Sequence, residues 1–262
     1  MEVGETIMII LFLIAIIGFF ISIIYSKHLH VDFSSFFKRG FKKLDSLFGI
    51  YCYTGKQGTG KTYSAVKFTE ESRKNFNYKV LTNVKSLSDR NGGITLDEYI
   101  KNKSKHQNVS YIYEKDIFKI IEFCTKFKEN DENVMIFFDE IFTALEKLGS
   151  LSKEVLSFLS QLRKRKIIFI TTAQEWSEIH ITFRRYIRFQ ISCRMFSLPF
   201  LKTAFVSNQV NDGDLIHWDN DCQDFIAPTI QTNFSKGLKS VIDLYDTFET
   251  IQMTRSMNAM RR

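Results

Sequence analysis

The sequence predicts an α/β fold: a mainly parallel sheet with helices on both faces, preceded by one N-terminal transmembrane helix. Three observations carry this. Short apolar runs alternate with helix-period runs, the pattern of strand–helix–strand units. A glycine-rich stretch joins the first apolar run to the first helical one. Residues 7–25 (IMIILFLIAIIGFFISIIY) carry no charge, which suffices to cross a hydrocarbon core of roughly 30 Å as a helix.

Strand signals fall at 49–54, 78–83, 134–139, 167–172 and 186–194. Runs such as GIYCYT, VMIFF and KIIFITTAQ are apolar at successive positions, as expected of strands buried on both faces. Helical signals fall at about 62–76, 114–128, 140–147 and 152–164. Residues 84–113 are polar and contain Asn91-Gly92-Gly93, so a loop with a short helix is expected there. Residues 197–262 are less regular, with strand-like pieces near 203–209 and 248–252. His217, Asp219, Asp221 and Cys222 lie together in that region without a recognisable ligand spacing.

The domain division follows: a membrane anchor at 1–26, a juxtamembrane linker or amphipathic helix at 27–47, and one globular domain at 48–262. The start MEVGET carries Glu2 and Glu5 rather than basic residues, and no small-residue cleavage signal follows the apolar run, so a retained anchor is expected over a signal peptide. Lys27, Lys38, Arg39, Lys42 and Lys43 all follow the run and none precedes it. The positive-inside rule then places the N-terminus outside and the globular domain in the cytoplasm, on a bacterial or host inner membrane. Cys52, Cys124, Cys193 and Cys222 fit no metal-ligand spacing and read as reduced, which suits that compartment. The net charge of +7 is compatible with nucleic acid, with anionic lipid, or with neither.

The chemistry-bearing stretch is Gly55-Lys56-Gln57-Gly58-Thr59-Gly60-Lys61-Thr62, which matches the phosphate-binding pattern GxxxxGK[ST]. Glycines let the loop curl so that backbone N–H groups face phosphate oxygens. Lys61 brings a positive charge to the β- and γ-phosphates, the Thr62 hydroxyl can ligate Mg²⁺, and the following helix adds its N-terminal dipole. ATP with Mg²⁺ is the expected ligand. Downstream, the run VMIFF ends in Asp139-Glu140. Asp139 at a strand tip is placed to hold Mg²⁺ and Glu140 to polarise an attacking water. The run KIIFITTAQ ends in Gln174, which can reach a γ-phosphate or that water, or simply face solvent. Arg163 and Arg165 precede it; they read either as fingers reaching a neighbouring subunit's site or as a solvated basic helix end. Arg184, Arg185 and Arg188 form a second basic group, open between another finger, a DNA-facing patch and a solvated face.

Together GKQGTGKT, VLTNV, FFDEIFTAL, SQLRKRKIIFITTAQ and the late Tyr245-Asp246-Thr247 resemble the Zot-like family (zonular occludens toxin N-terminal domain), within the HerA/FtsK-like branch of P-loop ATPases, over about residues 49–250. The resemblance implies a RecA/FtsK-like fold and an ATPase that moves single- or double-stranded DNA. It also implies a homo-oligomeric ring, a hexamer being one size, working with phage or host assembly proteins. Lys61, Thr62, Asp139, Glu140 and Gln174 occupy the matching positions. Phage assembly members of the family typically carry the ATPase before the membrane helix. The anchor-first order here is more like FtsK-type and conjugative coupling ATPases, or the packaging ATPases of membrane-containing phages. The leading expectation is therefore a membrane-anchored ATPase for DNA translocation, packaging or phage assembly. Its alternative is a nucleotide-dependent membrane scaffold with little hydrolysis. Other P-loop classes rank third, and no LSGGQ signature is present.

Overall fold

The computed structural model of the chain describes residues 16–18, 29–30, 48–128, 132–141, 153–197, 204–213, 217–219, 224–226 and 228–246. The apolar run at 7–25 lies outside these, apart from helical residues 16–18. No helix among the described residues is long and apolar enough to cross a membrane.

The elements in chain order are β1 (Leu29–His30), β2 (Gly49–Thr54), α1 (Lys61–Phe76), β3 (Lys79–Thr82), α2 (Lys85–Arg90), β4 (Ile94–Thr95), α3 (Leu96–Lys101) and β5 (Tyr111–Tyr113). Then come α4 (Ile117–Glu122), which runs on into a π-helical turn at Phe123–Phe127, and β6 (Val134–Phe138), α5 (Lys153–Gln161) and β7 (Ile167–Ala173). The rest are α6 (Ile181–Arg184), β8 (Ile187–Ser197), β9 (Ala204–Asp212), the hairpin β10 (His217–Asp219) and β11 (Asp224–Ile226), β12 (Thr229–Lys236) and α7 (Lys239–Ile242).

Ten strands form one sheet in the order β1-β12-β9-β8-β2-β7-β6-β3-β5-β4. From β8 to β4 every pairing is parallel; β9 and β12 extend it antiparallel, and β1 closes the edge parallel to β12. The fold is thus mixed α/β with a mostly parallel sheet. Its central strands are buried along their length, which is why they read as unbroken apolar runs. Alternate residues of each strand feed two separate cores. Ile50, Cys52, Ile136 and Phe169 pack with Ile120 and Phe158 from α4 and α5. Tyr51, Tyr53, Phe137 and Ile170 pack with Val66 and Phe68 from α1. Cys52, Cys124 and Cys193 are free, buried thiols, and burial pushes the Cys124 and Cys193 thiols up to about 12.

The stretch expected to be loop at 84–113 instead contributes α2, α3 and the last two strands of the sheet, β5 and the edge strand β4. They are too short to show a period of their own. Residues 29–30, expected in a juxtamembrane linker, pair with Thr232 and Asn233. The strand expected near 203–209 is β9, while the one near 248–252 and most of the helix expected at 140–147 lie outside the described residues. Tyr245 is buried in the α1-side core. Arg90 donates to the Tyr245 and Asp243 carbonyls, and the Asp246 N–H donates to Ser86, so the late Tyr-Asp pair fastens the chain beside α2.

Candidate active site

The carboxyl ends of β2, β6 and β7 meet at one end of the sheet, where open α/β sheets place their ligands. The loop after β2 is shaped by its glycines. Gly55 (φ +145), Gly58 (φ +79) and Gly60 (φ +84) all adopt backbone that disfavours side chains. At Gly55 a Cβ would sit 2.6 Å from Thr59 Oγ1 and 2.7 Å from the Cys193 carbonyl oxygen, so only glycine fits. Thr59 closes the loop, its N–H and hydroxyl both donating to the Lys56 carbonyl. The Gly55 N–H donates to the Gln174 carbonyl at 3.2 Å, tying the loop to the tip of β7. Helix α1 starts at Gly60 with no side-chain cap and no acidic residue in its first turn. Its N–H groups and positive dipole end therefore face the loop unneutralised, as an anion site requires. Lys61 Nζ donates to the Lys56 carbonyl at 3.1 Å, which lays the ammonium across the loop.

Asp139 and Glu140 follow β6 immediately. Thr62 Oγ1 lies 3.5 Å from Asp139 Oδ2. A hydroxyl and a carboxylate side by side form a hard oxygen donor pair of the kind that takes Mg²⁺ beside nucleotide phosphates, so these residues fit the ion. Asp139 is buried and held from two sides. The Asn83 side chain, at the end of β3, accepts from the Asp139 N–H at 2.8 Å and donates to the Asp139 carbonyl at 3.0 Å. The Thr172 hydroxyl, on β7, donates to Asp139 Oδ1 at 2.5 Å and accepts from the Glu140 N–H at 3.0 Å. Glu140 has φ 51, a left-handed conformation rare for a non-glycine residue. Such backbone persists where its surroundings over-determine it. Here Asn83 and Thr172 supply that constraint and fix the direction in which Glu140 leaves the sheet. Burial raises the Glu140 pKa; Asp139 and Glu178 add to the rise and Lys61 opposes it.

Gln174 stands at the tip of β7 with its side chain exposed. Loop residues Lys56, Gln57 and Gly58 are exposed as well, whereas Thr59, Gly60, Lys61 and Thr62 are half-buried. The arginines lie elsewhere. Arg163 and Arg165 precede β7, and Arg163 sits beside Gly49 at the start of β2. A six-residue strand separates that end from the loop, a distance of about 17–20 Å. Within one chain neither arginine meets its own nucleotide loop. Arg165 binds Gln161 Oε1 and the Cys124 carbonyl, stitching α5 to the π turn. Arg184 holds the Ile179 and Ser177 carbonyls, and Arg188 donates to the Phe48 carbonyl. The sequence reading missed Asn83 and Thr172 as site residues. The only local signal was a polar residue at the end of an apolar run.

The profile described as Zonular occludens toxin (Zot) matches residues 49–199, more than half of the chain. The chain belongs to the Zot family. Among solved structures, this Zot-family chain is similar to the N-terminal domain of zonular occludens toxin from Neisseria meningitidis, at 18% identity and a TM-score of 0.46, covering 76% of this chain and 98% of that one. It is also similar to the flagellar accessory protein FlaH from Methanocaldococcus jannaschii, at 15% identity and a TM-score of 0.38, covering 63% and 77% of the two chains. A third is the genome-packaging NTPase of Sulfolobus turreted icosahedral virus 2, solved with ATP-gammaS, at 13% identity and a TM-score of 0.39, covering 68% and 95%. No curated protein sequence matches the chain.

Proposed function

We propose that this Zot-family chain is a membrane-anchored ATPase that hydrolyses ATP to drive DNA translocation, packaging or phage assembly. One observation carries the reading. The phosphate loop, Thr62, Asp139 and Glu140 converge at one end of the sheet, with Asp139 clamped by Asn83 and Thr172. Loop N–H groups, the α1 N-terminus and Lys61 bind the phosphates. Thr62 and Asp139 are the residues that would hold Mg²⁺, and the ion would supply charge neutralisation on the phosphates. Glu140 orients the attacking water and accepts its proton, and Gln174 touches that water or the γ-phosphate from the β7 tip. The working form is a homo-oligomeric ring. Arg163, exposed on the far end of the sheet, is assigned a role at a neighbouring subunit's site; Arg165 is assigned an internal packing role on account of its bonds to Gln161 and Cys124.

Residues 7–25 form the anchor in this reading, with the ATPase domain cytoplasmic, supported by the basic residues that follow the run. Protease protection in membrane vesicles tests it: a protected ATPase domain in inside-out vesicles overturns the orientation.

The activity test measures ATP hydrolysis by the full chain with single-stranded, duplex and no DNA, beside Glu140→Gln. DNA-stimulated turnover that disappears in Glu140→Gln is expected. ATP binding with negligible turnover, indifferent to both DNA forms, would overturn the motor in favour of a nucleotide-dependent membrane scaffold.

A further inference from the structure

The antiparallel extension of the sheet has two unlike faces. One packs on α1: Val206 is buried in that core, and Ser64 of α1 donates to Asn208. Register defines the other. Arg194 lies opposite Ser207, which lies opposite Phe234, and Phe196 lies opposite Phe205, which lies opposite Lys236. Period-two alternation puts these on one face. Three near-parallel rings form one cluster there. Phe196–Phe205, Phe196–Phe234 and Phe205–Phe234 centroids are 5.9, 5.2 and 5.5 Å apart, with interplanar angles of 19°, 25° and 7°. Phe196 is 41% exposed, and Arg194 and Lys236 are exposed at its flanks. Register also places Gln190, Ser192, Gln209, Asn211, Thr229 and Thr232 on this face, and no carboxylate is among them; the exposed Ile230 sits at the bulge of β12.

We infer that this open face of β8, β9 and β12 is a platform for single-stranded nucleic acid, with bases stacking over Phe196, Phe205 and Phe234 and backbone phosphates held by Arg194 and Lys236. Stacking aromatics interleaved with cations are what unpaired strands require, since every base has a π-face and every linkage a charge. A duplex keeps its bases stacked on one another and offers those rings nothing. A lipid surface would have to desolvate the amides and hydroxyls that make up the rest of the face. A two-fold interface with a second copy would bring the same two cations against each other.

The platform is mechanically next to the nucleotide. Where β8 runs past the end of β2, the Cys193 carbonyl oxygen lies 2.7 Å from the Cβ position of Gly55, and on the reverse side of β8 Met195 Cε lies 2.9 Å from that of Gly60. A shift of the phosphate loop on nucleotide binding therefore pushes on the strand that carries Arg194 and Phe196. The inference rests on the reading of the chain as a DNA-handling ATPase, and specifies which form of the polymer it grips and where.

The test is fluorescence anisotropy of a labelled thymidine oligonucleotide and of a matched duplex against the full chain in detergent, with and without ATP-gammaS. The variants are Phe196→Ser and the double change Arg194→Glu, Lys236→Glu. A second measurement maps photo-crosslinks from bromodeoxyuridine strands by mass spectrometry. Tighter binding of the single strand is expected, weakened roughly tenfold by Phe196→Ser. The charge reversals should weaken it further and flatten its salt dependence, and crosslinks should fall on β8, β9 or β12. Unchanged single-strand affinity in both variants, or crosslinks confined elsewhere, overturns the platform. So does a change in oligomeric state, or in vesicle binding, with strand affinity retained. If turnover responds to DNA while the variants bind strand like wild type, the platform fails and the motor stands. If no DNA affects turnover but the variants lose strand binding, the platform stands and the motor fails.

Discussion

Replacing Asn83 with alanine tests whether the clamp on Asp139 sets the catalytic geometry. The amide of Asn83 makes two hydrogen bonds to the backbone of one buried residue, at 2.8 and 3.0 Å. Its removal leaves a buried N–H and a buried carbonyl without that partner, each at about 1–3 kcal/mol. Some relaxation is expected, so the loss is about 2–4 kcal/mol. That is a large share of the roughly 5–15 kcal/mol that holds a typical domain together, and lowers Tm by on the order of 10 °C in a domain of this size. The catalytic consequence is separate. Glu140 follows Asp139 at φ 51; freed on one side, its backbone relaxes toward an ordinary conformation and its carboxylate moves. A displacement near 1 Å costs on the order of 100-fold in rate. Nucleotide affinity should hold, because the loop N–H groups and Lys61 are untouched. Asn83→Asp has the same shape but a carboxylate where the amide donor stood, so it should lose turnover equally while leaving no cavity. The assay is kcat and nucleotide Kd well below Tm, beside a thermal melt. A lowered Tm with wild-type kcat would refute the argument and leave Asn83 a purely structural residue.

Further outcomes are expected at four places in the molecule. Gly55→Ala should abolish nucleotide binding, since its Cβ would meet Thr59 and the Cys193 carbonyl, whereas Gly58→Ala, whose Cβ meets nothing within 4 Å, should only weaken binding through its positive φ; equal effects in a titration would contradict the packing argument. The acid limb of the kcat/KM–pH profile, which reports the free enzyme, should lie above the ordinary carboxylate range, because burial and then Asp139 raise the Glu140 pKa, and Glu178→Gln should move that limb down. A raised carboxyl pKa also means that ionisation costs stability as pH rises through it, so Glu140→Gln should melt higher than wild type at neutral pH. Glu70 behaves oppositely: burial opposes its charge, but bonds from Arg73, Lys74 and Tyr111 prevail and hold its pKa at about 2. Its contribution is present above the ordinary carboxylate range and lost as pH falls toward that value, so the stability gap between wild type and Glu70→Gln should close on acidification in denaturant melts. Finally, Arg165→Ala should lower Tm through the lost bonds to Gln161 and Cys124 without changing kcat; a kcat loss with Tm unchanged would restore it as a candidate finger.

Much of the candidate site was legible because its parts are local. The phosphate loop is eight consecutive residues whose glycines, lysine and threonine each answer to a requirement of a phosphate ligand. Asp139 and Glu140 were marked by the end of a fully buried strand. Asn83 and Thr172 were not legible. Their roles depend on β3 and β7 lying on either side of β6, and no pattern within VLTNV or FITTA states which strands are neighbours. The same limit applied to Arg165, whose partner Cys124 is distant in sequence and close only after α4 and α5 pack together.

By itself, then, the sequence determined the strand–helix alternation, the glycine-rich loop between the strand and the helix, and the acidic strand tip. Each depends on backbone conformation and burial within a few residues. The tertiary structure decided the order of the strands, the side chains that hold Asp139, the separation of the arginines from the loop, and the aromatic face formed by Phe196, Phe205 and Phe234. These are contacts between residues far apart in the chain, and they exist only once burial of two cores has fixed which strand lies beside which.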